Sequence, residues 1–289
     1  MRRARNGNWG GGPGRGLCAL IAALALLALP AVTSAEPSPA EGRLFDAVSL
    51  DALLGVIHEE SMVQGRQLAV DMQIAEQGAL ELLLAGVYSP ARMRRVFAEG
   101  FAGRMTPEEL ADTTEFFASP LGVRIVGLEI SGRAALLDPE VEAASRERAA
   151  TASDAEPARL ALLQRFIEVN ALVDSNVVGS MNAQFAFMMG LASIADTQTS
   201  PMSEDEVLAD LWQQEPEIRR TSVDWLVSYL LLAYDPLSDA ELEAYVAFSE
   251  SPAGQAYNRA VFAAFDALFA ESWGRLGRGF AQLMAGERL

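Results

Sequence analysis

The chain has 289 residues, of which 51% are hydrophobic, and its 39 acidic residues against 22 basic ones give a net charge of −17. A chain of this length and apolar content can bury one large core or two smaller ones, which excludes an intrinsically disordered protein. The negative charge argues against nucleic acids and anionic lipid surfaces as main partners, because both are bound by neutralising phosphate groups.

The first 35 residues have the order of a cleavable secretory signal. Basic residues up to Arg15 precede an apolar run from Leu17 to Leu29, and small residues then lead to Ala35. This order is typical of a signal peptide, and the apolar run is shorter than the roughly 20 residues that a membrane-spanning helix needs. We therefore expect an exported protein, periplasmic or alternatively secreted, with no stable transmembrane anchor after cleavage.

Cleavage after Ala35 removes Cys18, the single cysteine of the chain, together with four of the 22 basic residues and none of the 39 acidic ones. Lipid attachment at Cys18 is the less favoured alternative, because Arg15 stands three residues ahead where a lipoprotein site has Leu. The mature chain would then carry a net charge of −21. It would have no thiol for a disulfide, a nucleophile or a metal ligand.

Helical periodicity runs through most of the remaining chain. Apolar residues recur at spacings of three and four, as in the segments that begin near Leu50 and Leu163, and alternating strand patterns are hard to find. The sequence therefore predicts an all-α fold. Hydroxyl residues before prolines and capping boxes mark the helix starts: Ser89-Pro90, Thr106-Pro107, Ser119-Pro120, Thr106 with Glu109, Ser203 with Glu206, and Ser238 with Glu241.

An internal repeat follows from comparing these helix starts. The segment from Thr106 to Gly122 corresponds to the segment from Ser238 to Gly254 at a constant offset of 132 residues. We therefore predict two related helical units packed as a bundle-like body, 36–145 and 158–289, separated by a polar junction at 146–157. The matching motif residues are Phe116, Ser119, Pro120 and Gly122 in the first unit and Phe248, Ser251, Pro252 and Gly254 in the second.

The repeated motif predicts a sharp corner between two helices. An aromatic residue ends one helix, Ser caps the next, Pro takes its first position, and Gly follows two residues later. The glycine would let a neighbouring helix approach closely, and the aromatic side chain would pack across the corner. Anion binding by the backbone N–H groups at Ser119 and Ser251 is the alternative. It is less favoured because the capping hydroxyl and the proline already satisfy or remove those donors.

This corner, preceded by a capping box, resembles a mark of the exported, all-helical bacterial proteins grouped as domain of unknown function 2059. Their pattern is a Phe or Tyr, a short gap and Ser-Pro-x-Gly, which Phe116 to Gly122 and Phe248 to Gly254 both match. The resemblance implies an all-helical fold and a location outside the cytosol. It implies no catalytic residues.

Residues that could carry chemistry do not form a recognisable site. The only histidine is His58, and Met62 stands where a zinc protease needs a second histidine. Acidic pairs such as Glu108 and Glu109 fall in first helical turns, where the helix dipole favours them. A methionine cluster near Met181 could bind copper, but core packing is favoured. We expect no catalytic residue, no metal and no cofactor.

The last helix has an apolar face wider than one packing partner requires. It is either the central helix of the second unit, which we favour, or it partly lines a groove for an apolar ligand or a partner helix. The candidate groove residues are Phe262, Phe269 and Trp273 on this helix, with Phe185 and Met188 from the Phe- and Met-rich helix around 181–191.

Three hypotheses for function follow. The leading one is a non-catalytic protein of the cell envelope that binds or scaffolds a partner, which predicts a large exposed apolar patch. The alternative is a carrier of lipid-like or other apolar small molecules, which predicts a continuous apolar cavity between helices. A hydrolase that uses carboxylates alone is the least favoured, and it predicts acids that converge in a cleft with shifted pKa values.

Overall fold

The computed structural model describes residues 37–193 and 203–286, so the predicted signal segment lies outside the described residues. The described chain is helical and contains no strand, which confirms the all-α prediction. The helices are α1 (Pro39–Ala47), α2 (Leu50–Asp71), α3 (Gln77–Val87), α4 (Pro90–Phe101), α5 (Pro107–Ala118), α6 (Pro120–Ala135), α7 (Pro139–Ala155), α8 (Pro157–Val169), α9 (Leu172–Ala192), α10 (Glu204–Ala233), α11 (Asp239–Glu250) and α12 (Pro252–Met284).

The predicted helix starts are confirmed. Helices α4, α5 and α6 begin at Pro90, Pro107 and Pro120, each after a capping hydroxyl that accepts a hydrogen bond from the first turn. The capping boxes before α5, α10 and α11 are formed on both sides, from the side chain and from the backbone of the capping residue. These starts depend on residues within one turn, which is why the local sequence predicts them.

One hydrophobic core joins both halves of the described chain. Buried side chains from α1 to α12 form a single cluster, which runs from Leu44 in α1 to Leu283 in α12. Helix α12 packs against α3, α4 and α5 as well as against α9 and α11, so its wide apolar face contacts helices of both halves. None of the described helices is long and apolar enough to cross a membrane.

Helices α9 and α12 approach each other closely because glycines face the contact. A Cβ atom at Gly277 would collide with the carbonyl oxygen of Phe187, and one at Gly190 would collide with the carbonyl oxygen of Gly274. Because glycine has no Cβ atom, the two backbones can come together at these positions. The pair forms one wall of the cavity described below.

Both predicted corners have the expected hydrogen bonds. The hydroxyl of Ser119 accepts from the Gly122 N–H (3.1 Å), and the hydroxyl of Ser251 accepts from the Gly254 N–H (3.0 Å). A Cβ atom at either glycine would collide with backbone atoms in the last turn of the preceding helix. The close approach that these glycines allow is therefore within the corner itself.

The two corners also contact each other. The rings of Phe116 and Phe248 stack with centroids 3.9 Å apart and planes 4° from parallel. The Thr113 hydroxyl in α5 donates to the carbonyl oxygen of Ala253 in α12 (3.4 Å). The motif aromatics thus pair with one another across the molecule.

The two halves share further local features. Helices α2 and α9 each follow a residue in the left-handed region, Ser49 (φ 49°) and Ala171 (φ 47°), and α5 and α11 are each 12 residues long. The internal duplication stays a prediction.

Most of the predicted polar junction lies within α7. This helix packs against α10, and its Ser145 hydroxyl donates to the Ser228 carbonyl oxygen (2.7 Å). The junction is therefore a packed helix.

Candidate functional site

A cavity of about 950 Å³ lies inside the helical body. Its walls come from both halves of the chain, chiefly from α2, α6, α9, α10 and α12, and most of its lining is aromatic or aliphatic. The exposed lining residues Gln64, Asp210 and Gln214 show where the cavity reaches solvent, next to α2 and α10.

Four of the five predicted groove residues line this cavity, namely Met188, Phe262, Phe269 and Trp273. Phe185 is not among the lining residues. The lining positions on α9 recur every three or four residues from Leu172 to Met188 and so share one face of the helix. At 3.6 residues per turn, Phe185 falls on the opposite side of α9.

A carboxyl group, Glu129 on α6, forms part of this largely apolar wall. Its Oε1 atom accepts hydrogen bonds from the hydroxyls of Tyr234 (2.5 Å) and Tyr245 (3.1 Å). The Tyr229 hydroxyl donates to the backbone carbonyl oxygen of the same residue (3.0 Å). Within the described part of the chain, the Oε2 atom has no hydrogen-bond donor. Glu129 is half-buried, and it lines the cavity.

The surroundings of Glu129 change its acidity. Burial raises the pKa of the Glu129 carboxyl because it removes water from the charged form, and the hydrogen bonds from Tyr234 and Tyr245 oppose this shift. Burial, together with the negative charge of Glu129, also raises the pKa of both tyrosines. The tyrosines therefore remain hydrogen-bond donors throughout the physiological range.

The nearest cationic side chain on α6 is already paired. Arg133 lies one turn after Glu129 and donates to both carboxylate oxygens of Glu60 on α2, with 2.8 Å between its Nη2 atom and Oε2. Its guanidinium group also lies over the ring of Trp225, 5.8 Å from the centroid. Because Glu60 balances this charge, Glu129 has no cationic partner among the described residues.

The charge of the cavity lining is negative. The described lining contains four acidic side chains, those of Glu60, Glu129, Asp210 and Asp266, and a single basic one, that of Arg133. Such a lining favours a positively charged occupant over a negatively charged one.

Other residues considered for chemistry lie elsewhere or have structural roles. The Nδ1 atom of His58 lies 2.8 Å from the carbonyl oxygen of Tyr88, which can only accept, so this nitrogen carries the proton. Neither His58 nor Met181 lines the cavity. Within 37–193 and 203–286, no group of three or more His, Cys, Asp or Glu side chains is arranged to hold a metal ion.

The fold and the cavity define an all-helical protein with a largely apolar cavity that opens to solvent. Residues 91–150 match a family described as "Uncharacterized protein conserved in bacteria (DUF2059)". The match includes the first Ser-Pro-x-Gly corner, where it confirms the resemblance, and it does not include the second. No curated protein and no solved structure shows significant similarity to the chain.

Proposed function

We propose that this protein binds and carries an apolar small molecule in the cavity between its two halves. The observation that carries the proposal is the cavity itself, about 950 Å³ with a mostly aromatic and aliphatic lining. Ligand pockets of proteins have volumes of about 300–1,000 Å³ and combine apolar walls with a few polar groups. The cavity fits this description at its upper limit.

An incidental packing defect does not account for a cavity of this size. Protein interiors are packed as densely as organic crystals. Voids larger than a water molecule are few in such interiors, whereas this cavity measures about 950 Å³ and reaches solvent at Gln64, Asp210 and Gln214. A space of this size that opens to solvent and has mostly apolar walls supports the proposal of a binding pocket.

The scaffolding hypothesis has weaker support on the described surface. It needs a large exposed apolar patch. The exposed large apolar side chains are spread over several helices, as in Val70 on α2, Leu82 on α3 and Val178 on α9, with Leu208 and Trp212 adjacent on α10. A hydrolase that uses two carboxylates is also disfavoured, because Glu60 pairs with Arg133 instead of converging with Glu129. We therefore place the carrier hypothesis first.

We also propose that the carrier works outside the cytosol, in the periplasm if the cell has one. The support for this location is the order of basic, apolar and small residues in the segment that ends at Ala35. A carrier in an envelope compartment would move or store molecules that are poorly soluble in water.

A variant that fills the cavity tests the carrier proposal. Gly179 on α9 lines the cavity, and a Cβ atom there would meet no atom within 4 Å, so Gly179→Leu would place its side chain in the empty volume. We expect the unaltered protein to bind the neutral probe N-phenyl-1-naphthylamine saturably. Gly179→Leu should weaken this binding about tenfold, a change that corresponds to about 1.4 kcal/mol.

The matched control is Gly86→Leu. Gly86 on α3 is exposed and does not line the cavity, and a Cβ atom at this position would also meet no atom within 4 Å. This variant should bind the probe as the unaltered protein does, and circular dichroism should show that both variants are folded. Absence of saturable binding to the unaltered protein, or equal binding by the two variants, would contradict the proposal.

A further inference from the structure

We propose that the cavity selects amphiphiles whose polar end carries a positive charge, such as a primary amine or a quaternary ammonium group, and that Glu129 binds this end. The inference rests on the proposed carrier function and specifies its ligand class. It is carried by the position of one carboxyl group, by the charge of the lining and by the aromatic rings around that carboxyl.

The hydrogen bonds of Glu129 leave one oxygen for a ligand. Both tyrosine hydroxyls donate to Oε1, at 2.5 Å from Tyr234 and 3.1 Å from Tyr245. They fix the orientation of the carboxyl group, while Oε2 receives no hydrogen bond from the described residues. A carboxylate that lines a cavity and has one unoccupied oxygen is well placed to accept a charge-assisted hydrogen bond from an ammonium group.

Charge balance favours a cation at this position. The guanidinium group of Arg133 is bound by both oxygens of Glu60, at 2.9 Å and 3.0 Å from its Nε atom. The other ionisable side chains of the described lining, Glu129, Asp210 and Asp266, are all acids. A fatty-acid carboxylate or a phosphate group would be repelled by these side chains, whereas an ammonium group would be attracted.

The two tyrosines that contact the carboxyl group belong to a cluster of aromatic rings. The rings of Phe166, Tyr234 and Tyr245 lie within 4.9–6.0 Å of one another, and all three residues line the cavity. Tyr257, which also lines the cavity, lies 5.0 Å from the ring of Phe117. The faces of aromatic rings attract cations, and groups of such rings bind quaternary ammonium ions in other proteins. A carboxylate among aromatic rings therefore fits a cationic head group.

A cationic ligand would also stabilise the ionised form of the Glu129 carboxyl. A buried carboxylate without a cationic partner is unfavourable, and burial accordingly raises the pKa of Glu129. An ammonium group bound at Oε2 would supply the missing partner and stabilise the ionised carboxyl. The apolar chain of the ligand would then extend along the side chains of α9 and α12, among them Met188, Phe269 and Trp273.

Three probes of equal chain length test the ligand class: dodecylamine, 1-dodecanol and dodecanoic acid. Their affinities are measured at pH 7 by displacement of N-phenyl-1-naphthylamine from the unaltered protein. We expect the amine to bind at least tenfold more tightly than the acid, with the alcohol between them. This comparison needs no variant, so it does not depend on whether an altered protein folds.

Glu129→Gln then tests the residue, because it removes the charge and keeps the shape. The affinity for dodecylamine should fall about tenfold, and the affinity for 1-dodecanol should change less than threefold. The control is Glu115→Gln, which removes the same charge from an exposed position on α5 outside the cavity. It should leave both affinities unchanged.

The outcomes separate the two proposals. If the neutral probe binds but the three ligands bind equally, or the acid binds best, the selection of cations is wrong and the carrier function stands. If Glu129→Gln weakens the alcohol as much as the amine, Glu129 is not the binding group for the charge. If neither the neutral probe nor any of the three ligands binds, both proposals are wrong.

Discussion

The orientation and the pKa of the Glu129 carboxyl depend on side chains that are distant in sequence. The residue lies on α6, whereas the two hydroxyls that fix its carboxyl come from Tyr234, which caps the C-terminus of α10, and from Tyr245 in α11. Burial raises its pKa, and the two hydrogen bonds oppose that rise. Because the opposing effects do not cancel, the ionisation of Glu129 should be visible in the stability of the protein.

We predict a specific pH dependence for the ligand-free protein. The pKa of Glu129 in the folded protein lies above its ordinary value of 4.5. Between pH 4.5 and the pKa of the folded protein, the unfolded chain loses a proton that the folded protein retains. The free energy of unfolding therefore falls as the pH rises through this range. Glu129→Gln lacks this titration. Its stability relative to the unaltered protein should therefore increase with pH, until the pH passes the folded pKa of Glu129.

The tyrosines near Glu129 do not titrate in this pH range. Burial raises the pKa values of Tyr229, Tyr234, Tyr245 and Tyr257 above their ordinary value of 10.0. Tyr234→Phe removes the shorter hydrogen bond to the carboxylate, so the fall in stability should extend to higher pH. Urea unfolding at a series of pH values measures both effects, and parallel curves for Glu129→Gln and the unaltered protein would contradict the account.

Helical spacing in the sequence indicates that Glu129 occupies a core position, but the nearby Arg133 also allows a different interpretation. Val126, Glu129, Ile130 and Arg133 follow helical spacing and share the face of α6 that lines the cavity, so an acid occupies a core position. However, Glu and Arg four residues apart are also typical of an exposed ion pair. The actual partner of Arg133 is Glu60, 73 residues away. Local sequence does not contain that information.

At the scale of helices, the starts and corners were predictable because their chemistry is local. The hydroxyl cap, the proline and the glycine of each Ser-Pro-x-Gly corner act within one helical turn. The stacking of Phe116 on Phe248 was not predictable, because it depends on how the two corners meet. The predicted polar junction became part of α7, since its alanines and arginines are good helix formers.

The contact between α9 and α12 yields a prediction about stability. A Cβ atom at Gly277 would collide with the carbonyl oxygen of Phe187, and a backbone atom cannot move aside as a flexible side chain can. We expect Gly277→Ala to lower the free energy of unfolding by about 1–3 kcal/mol, the usual effect of overpacking. Urea unfolding followed by circular dichroism measures the change.

Gly127→Ala is the matched control for this helix contact. Gly127 lies within α6, is exposed, and would present a Cβ atom with nothing inside 4 Å. Alanine favours a helix over glycine by about 1 kcal/mol, so this variant should be as stable as the unaltered protein or slightly more stable. If Gly277→Ala were also neutral, the close approach of α9 and α12 would be wrong.

At the scale of the whole molecule, the cavity combines side chains from Phe45 to Trp273. Sequence periodicity predicts which residues avoid water, but it does not distinguish a residue that packs against another helix from one that faces an internal cavity. The wide apolar face of α12 led to the lining residues Phe262, Phe269 and Trp273, and the Phe- and Met-rich segment of α9 led to Met188. Phe185 does not line the cavity, because helical spacing places it on the side of α9 opposite to the lining positions.

The cavity brings together the helices of both halves, the close helix contact and the candidate binding group. Helices of both halves enclose it, the close contact of α9 and α12 forms one wall, and α6 contributes the carboxyl group that we propose binds a cation. The polar opening near Asp210 would let a ligand enter with its apolar chain protected inside. The central claim is that the protein carries such a ligand.

Native mass spectrometry of the protein, purified without detergent from the envelope of its own cells, tests this claim most directly. We predict the mass of the chain plus a non-covalently bound small molecule, and an amphiphile with an amine or quaternary ammonium group in the organic extract. The Gly179→Leu variant, purified in the same way, should retain much less of this molecule. A bare chain under gentle ionisation, with no amphiphile in the extract, would contradict the account.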